Sequence, residues 1–418
     1  MRKKIGVGHA HVGELEKKYV NLALDAGRLS QGEFVYKFEN EFAQLHEQRW
    51  GIACNSGTSA LHAALEALKE KYQWPEKSEV LVPAITFIAT SNACIHAGLV
   101  PVFVDVDSVS YNMDPKQIEA KISPKTVGIM PVHTFGQPCE MDEIVAIASK
   151  YNLRLIEDCA EAHFATYKGR PVGSFSDIAG FSTYVAHTIT TGVGGVITTN
   201  DSELAEICRS LIAHGRACTC ERCIASNPNQ VCKLRMQTEM DKRFMMVRMG
   251  YSYRIGELEG ALGIAQLENR DFIMNTRKEN AAYLTNKLRK FEEFFQLPDY
   301  PEYIDHSFMM YPIVIKESAS FTQRELTGYL EQKNIESRPM LPLLNQPVYK
   351  ELFGDIEKDY PVAQWINNNG FYVGCHHGLN TEELDYIVEC IETFIKTKCI
   401  NFAAATTSVS IRSEGAKE

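Results

Sequence analysis

The stretch "SEVLVPAITFIATSNACIHAGLVPVFVDVD", residues 78–107, decides how the chain folds. It opens with the apolar run "SEVLVPAITF" and closes with "VPVFVDVD", both of strand length, and the "TSNACIHAG" between them has helical spacing. A strand, a helix and a second strand in immediate succession predict a parallel pair joined by a crossover helix. The same alternation spreads in both directions. Upstream, "TSALHAALEALKEKY" (58–72) is helical. Downstream, "TVGIMPVHTFG" (126–136), "NLRLIEDCA" (152–160), "DIAGFSTY" (177–184) and "GGVITT" (194–199) each look like a buried strand or its exit loop, with the helix "MDEIVAIASKYN" (141–152) among them. The order is that of an α/β protein with a mostly parallel sheet. From about Asn275 the pattern changes to a long charged helix, "RKENAAYLTNKLRKF", then the strand-like "FMMYPIVIK" and the helices "TQRELTGYLEQKN" and "NTEELDYIVECIETFIKTK". Two parts follow: a large domain over 1–274, carrying a cysteine-rich insertion at 216–246, and a smaller α/β domain over 275–400. The polar, aperiodic end of the chain, 401–418, is predicted to be a loose tail.

With 418 residues the chain can bury a large core and divide into two domains. Its net charge of -10 argues against a nucleic-acid surface. The basic start "MRKK" lacks the apolar segment of a signal peptide, and no window has the roughly 20 apolar residues of a membrane helix. A cytosolic protein without nucleic-acid or membrane partners is the expectation, so the 12 cysteines are expected to be reduced.

Several stretches carry chemistry. In "CNSGTSALHAAL", Ser56, Gly57 and Thr58 precede a helix, the arrangement of a phosphate cradle and equally of an ordinary N-cap. Phe87 ends a strand, where it could stack on a planar ring or fill the core. Glu157 and Asp158 close the apolar strand "LRLIED"; a carboxylate there is costly unless a cation such as a pyridinium nitrogen pairs with it. Ser182, His187, Gly192, Gly194 and Gly195 lie in "GFSTYVAHTITTGVGGVITTN", 180–200. Cys218, Cys220, Cys223 and Cys232, spaced CxCx2Cx8C, are dense enough for a structural zinc or an iron-sulfur cluster, or they crowd without a metal.

Taken with "QGEFVYKFENEFA", "GYSYRIGELEGALGIAQLE" and "RPMLPLLNQPVY", these motifs resemble the DegT/StrS family of pyridoxal-phosphate-dependent sugar aminotransferases, and the resemblance covers nearly the whole chain. It implies the aspartate aminotransferase fold (fold type I), a large domain built on a mostly parallel seven-stranded sheet with the cofactor at the strands' carboxyl ends. It also implies Gly57, Thr58 and Ser182 at the cofactor phosphate, Phe87 against the ring and Asp158 at the pyridine nitrogen. Glu161 falls beside the ring's phenolic oxygen, where many aminotransferases have Gln. Ser252 stands where a partner subunit's Asn usually reaches the phosphate, and Ser252 and Arg254 suggest a site completed across a homodimer.

One departure changes the expected chemistry. Where the family has its Schiff-base lysine, this chain has His187. A branch of the family, 3-dehydratases of nucleotide-linked 4-keto-6-deoxyhexoses, shares that histidine and has an acidic residue at the position of Glu161. There an imidazole can take a proton and return it to the departing C3 hydroxyl. The resemblance therefore implies a dehydratase that uses the amine form of the cofactor, restored by a reductase partner or by glutamate. A sugar aminotransferase and a lysine-less regulatory paralogue remain as alternatives. The cysteine group resembles the insertion of the iron-sulfur-bearing 3-dehydratases, whose further ligand near the Asp motif falls close to Cys159.

Overall fold

The computed structural model describes residues 3–223, 231–233 and 239–414, with side chains as far as 398. Seven strands form the large sheet: β1 (Trp50–Cys54), β2 (Glu79–Pro83), β3 (Val100–Val104), β4 (Thr126–Ile129), β5 (Arg154–Asp158), β6 (Ile178–Ser182) and β7 (Gly195–Thr199). Their spatial order is β1-β7-β6-β5-β4-β2-β3. The four pairings from β3 across to β6 are parallel, and β7 runs antiparallel to both β6 and β1. The sheet is the one expected from the alternation, and residues 78–107 supply β2, the helix Ile88–His96 and β3.

Local sequence explains the elements around the sheet. Ser56 caps the helix Gly57–Tyr72 by accepting the Ser59 amide, and Asp201 caps Ser202–Leu211 through the Glu203 and Leu204 amides. The first helix buries Leu61, Leu65 and Leu68 against the sheet, each contributing about 2 kcal/mol relative to exposure. β5 and β6 are buried on both faces, and Leu155, Ile156, Ile178, Ala179 and Phe181 supply their apolar positions.

The helix Arg270–Leu288 leads into a second sheet of β8 (Phe295–Gln296), β9 (Tyr311–Ile315), β10 (Arg338–Pro339) and β11 (Gly370–Val373), ordered β8-β9-β11-β10 and wholly antiparallel. Its core includes Leu284, Leu288, Ile313, Leu326, Val373 and Ile391. Ile5 joins that core as well. Its amide donates to the Asn334 carbonyl and its carbonyl accepts from the Glu336 amide, while Val7 joins the core of the large sheet. The last helix runs Thr381–Glu414, through residues predicted to form a loose tail. "NFAAA" (401–405) is compatible with helix, because alanine has the strongest intrinsic preference for it. Arg216 and Met246, at the two ends of the cysteine-rich insertion, meet in an antiparallel bridge, while 224–230 and 234–238 lie outside the described residues. Among the described residues no helix is long and apolar enough to cross a membrane.

Candidate functional site

Strand register gathers the first part of the site. Cys54, ending β1, and Ser182, ending β6, both lie opposite Gly195 at the start of β7. Just beyond Cys54 the helix Gly57–Tyr72 begins, and the amides of its first turn have no partners within the helix. A Cβ placed on Gly57 would stand 2.5 Å from the Ser182 Cβ and 3.1 Å from its hydroxyl. Glycine is thus what lets Ser182 touch the helix start. Amides at a positive helix end with a serine hydroxyl beside them make an anion cradle.

The second part surrounds β5. Alternation along the strand sends its two terminal carboxylates to different partners. Glu157 accepts from the amides of Gly173 and Phe175, from the Ser176 hydroxyl and, at 3.1 Å, meets His133 Nε2. The ligating atoms of His133, Glu157 and Cys159 lie within 4.8 Å of one another, but this hydrogen-bond set already occupies Glu157. Asp158 instead accepts from Thr90 Oγ1 at 2.7 Å and from the Ala160 amide at 3.1 Å. Burial raises its pKa despite these bonds, which marks a carboxylate without a full cationic partner. Thr90, in turn bonded to Thr86 at 2.7 Å, stands on the first turn of the helix that Phe87 precedes. Phe87 is 62 % exposed, so it is no core filler. Glu161 is buried and accepts the Phe135 amide at 2.6 Å; burial, with Asp158 nearby, pushes its pKa up to about 7.

The third part is the glycine-rich loop between β6 and β7. Its two arms are tied by the Thr183 amide to Gly194, the Val185 amide to Gly192 and a 2.6 Å bond between the Thr183 and Thr191 hydroxyls. Gly192 has a φ of 86°, the left-handed region that glycine enters without strain. His187, at the tip of this loop, is partly buried with its Nδ1 wholly enclosed. Burial and the charge of Arg277 lower its pKa to about 4, against a smaller opposing pull from the Ser182 backbone. It is a neutral imidazole at neutral pH.

Residues 11–392 match the DegT/DnrJ/EryC1/StrS aminotransferase family. The chain belongs to that family. It is 34 % identical over 391 residues to a GDP-perosamine synthase of Caulobacter vibrioides, covering 93 % of this chain and 98 % of that protein. It is 32 % identical over 381 residues to a dTDP-4-dehydro-2,6-dideoxy-D-glucose 3-dehydratase of Saccharopolyspora spinosa, covering 88 % and 81 %. Among solved structures, an E. coli GDP-4-keto-6-deoxy-D-mannose-3-dehydratase with bound hydrated PLP superposes with a TM-score of 0.82 at 25 % identity, over 93 % of this chain and all of the other. The fold expected from the resemblance is therefore the observed one, and the chain is a member of a family of enzymes.

Ser252 and Arg254 are exposed; their segment is tied down by the bridge between Ser252 and Ala213 and by the Asn55 amide on the Tyr253 carbonyl at 2.6 Å. The thiol of Cys220 is pushed up by burial and by Cys218 beside it, with Cys232 and Cys223 adding to the effect. These four thiols share a neighbourhood that does not include Cys159, whose thiol is buried near Glu157, Asp158 and Cys139. Three contributors were missed from sequence. Thr86 and Thr90 position Asp158, and their only sequence signal is their place on either side of Phe87. Arg277, wholly buried, acts on His187 from a helix that looked solvated.

Proposed function

We propose that the protein removes the C3 hydroxyl from a nucleotide-linked 4-keto-6-deoxyhexose, using His187 as the proton-carrying group. The observation that supports this most is the neutral imidazole of His187 at the loop position where the family's lysine would stand. The residues fit pyridoxamine phosphate. The amides of Gly57 and Thr58 and the Ser182 hydroxyl would take its phosphate, Phe87 would lie on its ring, and Glu161 would stand beside its phenolic oxygen. Asp158, raised by burial and lacking a full cationic partner, suits a protonated pyridine nitrogen. When bound, the cofactor supplies a primary amine for the sugar ketone and an electron-withdrawing ring.

The chain's own residues then divide the remaining work. Asp158 holds a positive charge at the far end of the site, and Thr90 fixes the direction of its carboxylate. His187 accepts a proton and delivers one to the departing hydroxyl, which leaves as water. Its secondary nitrogens form no stable neutral imine, so nothing at this position competes for the cofactor's carbon. The same reading gives a homodimer, since Ser252 and Arg254 are exposed and Tyr184, Val185 and Val193 leave apolar surface around the loop. It also gives a cytosolic setting and a reductase or amine donor that restores the cofactor. For Cys218, Cys220, Cys223 and Cys232 it leaves a zinc ion, an iron-sulfur cluster or no metal, which metal and sulfide determination on anaerobically purified protein would decide.

A sugar-nucleotide aminotransferase is the second reading, favoured by the 34 % identity to an amino-sugar synthase. Purified protein incubated with pyridoxamine phosphate and GDP- or dTDP-linked 4-keto-6-deoxyhexose separates the two by mass spectrometry. Loss of one oxygen from the sugar, a 3-deoxy product formed as pyridoxamine phosphate is converted to pyridoxal phosphate and ammonia, supports the dehydratase; an amino sugar that keeps its C3 hydroxyl overturns it in favour of the aminotransferase. Cofactor binding with no turnover overturns both and leaves a regulatory role.

A further inference from the structure

Residues 5–13 run from the second sheet to the glycine-rich loop. At one end Ile5 donates to the Asn334 carbonyl and accepts the Glu336 amide, both at 2.9 Å, and the Val7 amide donates to Glu336 Oε2 at 3.3 Å. Further on, a Cβ on Gly8 would stand 3.4 Å from the Ala186 Cα, next to His187 in the chain. The His11 carbonyl accepts, at 2.9 Å, from Nε2 of Gln266, a buried residue of the helix Glu257–Glu268. Oε1 of the same side chain accepts the Thr190 amide at 3.2 Å. One side chain thus ties the segment to the loop, where the Thr190 hydroxyl donates to the Thr183 carbonyl and accepts the Gly192 amide. In the chain, His187 falls between the two contacts, at Ala186 and Thr190.

The middle of the segment is fastened by imidazoles. His376 and His377 follow β11. The His376 ring stacks on that of His9 at 5.5 Å, and the His377 ring meets His9 edge-on at 5.4 Å and His11 at 5.6 Å. Glycine at 378 permits this closeness, since a Cβ there would stand 2.6 Å from the His9 ring. His376 donates from Nε2 to the Gly6 carbonyl at 3.1 Å and accepts the Gly378 amide at Nδ1, at 3.2 Å. Both nitrogens are therefore used in the neutral form, and a second proton breaks the bond to Gly378. His377 is buried with neither ring nitrogen hydrogen-bonded. Burial, then Arg277 and the neighbouring imidazoles, lower both residues to about 3. Lys3 and Arg277 also oppose a charge on His9, while Glu383 favours one; Glu16 is the acid that faces His11. Among the described residues, no three of these rings bring nitrogens within 4.8 Å of one another, as a shared metal ion would need.

We propose that residues 5–13 are an acid-released strap: with His376 and His377 neutral it fastens the glycine-rich loop to the second sheet, and their protonation frees it. The direction follows from linkage. A histidine freed from the cluster returns toward about 6.5, so below that pH the released state binds more protons than the fastened one. Between about pH 7.5 and about pH 5 each of the two histidines favours release by about 30-fold. The strap stands on the contacts of this segment and does not depend on which reaction the enzyme performs.

Amide hydrogen exchange on the full-length, cofactor-loaded protein at the two pH values, corrected for the intrinsic rate, reads the release. The Ile5 and Glu336 amides report the strap and the Thr190 amide the loop; Met130, bonded to the Leu81 carbonyl of β2, reports the large sheet. Acid should raise the opening of Ile5, Glu336 and Thr190 by about 30-fold for each histidine freed, with Met130 still protected. His377→Phe keeps a ring in the cluster and removes one titrating group, so it should cut that rise by about 30-fold. His9→Phe, at an exposed position, should cut it by a smaller factor, and it carries the test if His377→Phe does not fold. No rise at Ile5 and Glu336, a rise matched at Met130, or an equal rise in the wild type and both variants overturns the strap. A rise at Ile5 with Thr190 unmoved overturns its tie to the loop.

Discussion

Replacing His187 by lysine should restore the family's covalent chemistry, and the structure sets the pH at which it does so. The fall of the His187 pKa from 6.5 to about 4 corresponds to about 3 kcal/mol against a cation at this position. The same surroundings, burial plus the Arg277 charge, act on any cation placed there. A lysine, ordinarily near about 10.4, would be brought to about 8. Roughly a quarter of it would then be neutral at about pH 7.5, against about one part in a thousand for an unperturbed lysine, a gain of about two hundredfold in nucleophilic amine. The His187→Lys variant should therefore bond covalently to the aldehyde form of the cofactor. The bond should appear as a pH-dependent visible absorbance, and after borohydride reduction as a fixed mass increase on the peptide containing residue 187. Given an amine donor and a 4-keto sugar nucleotide, the variant should lose dehydration and gain amino-sugar formation. A variant that binds the cofactor yet stays uncoupled from it above about pH 9 refutes the placement of residue 187 at the reacting carbon. One that keeps full dehydration refutes its role as the base.

Asp158→Asn, nearly isosteric, should weaken cofactor binding or turnover by about 30-fold or more, because it removes the charge that a buried pyridinium needs; unchanged values would place the cofactor elsewhere. Gly57→Ala should cost about 1–3 kcal/mol of stability and weaken cofactor binding, since its Cβ would meet that of Ser182 at 2.5 Å; melting temperature and cofactor titration check both effects. Acid should destabilise the fold. His46 and His187 are lowered to about 4 and His306, His376 and His377 to about 3, so between pH 6.5 and those values the unfolded chain binds more protons and stability falls with pH, by about 2 kcal/mol for each at about pH 5. Glu39 and Glu161, raised to about 8 and about 7, act in the opposite sense, because between those values and 4.5 the folded state binds more protons. His9 and His163, also lowered by burial, add to these five histidines, and together they outweigh the raised carboxylates, so stability falls between about pH 7.5 and about pH 5. Urea denaturation at the two pH values checks this, and equal midpoints would contradict it.

The large sheet was legible because each strand is a short apolar run between helices of regular period, a pattern set by burial on both faces. The antiparallel course of β7 was not. Direction leaves no trace in hydrophobic period, and "GGVITT" looks the same run either way. Periodicity did contain the division of labour at the end of β5, where neighbouring residues turn to opposite sides. It could not say which side held the site; that depended on Thr90 arriving from another element. Phe87 was ambiguous for a related reason, since an aromatic at a strand exit is core or surface according to what the next helix covers.

Arg277 is the instructive miss. "RKENAAYLTNKLRKF" looks solvated when its charges are counted, but counting disregards phase. The buried positions of this helix include Ile273, Arg277, Ala281, Leu284 and Leu288, spaced by four, four, three and four residues. That is the period of a helix's inward stripe, and Arg277 falls on it in register with the apolar residues. Lysines 278 and 287 and Glu279, off the stripe, remain accessible. Charge on an apolar stripe is the sequence signal that could have found this residue, because burying a guanidinium requires carbonyls or an anion to receive its hydrogens. Phe308 and Met309 receive those of Nη1 only. The Nε and Nη2 hydrogens have no partner among the described residues, so this stripe buries a charge where an apolar side chain would cost less.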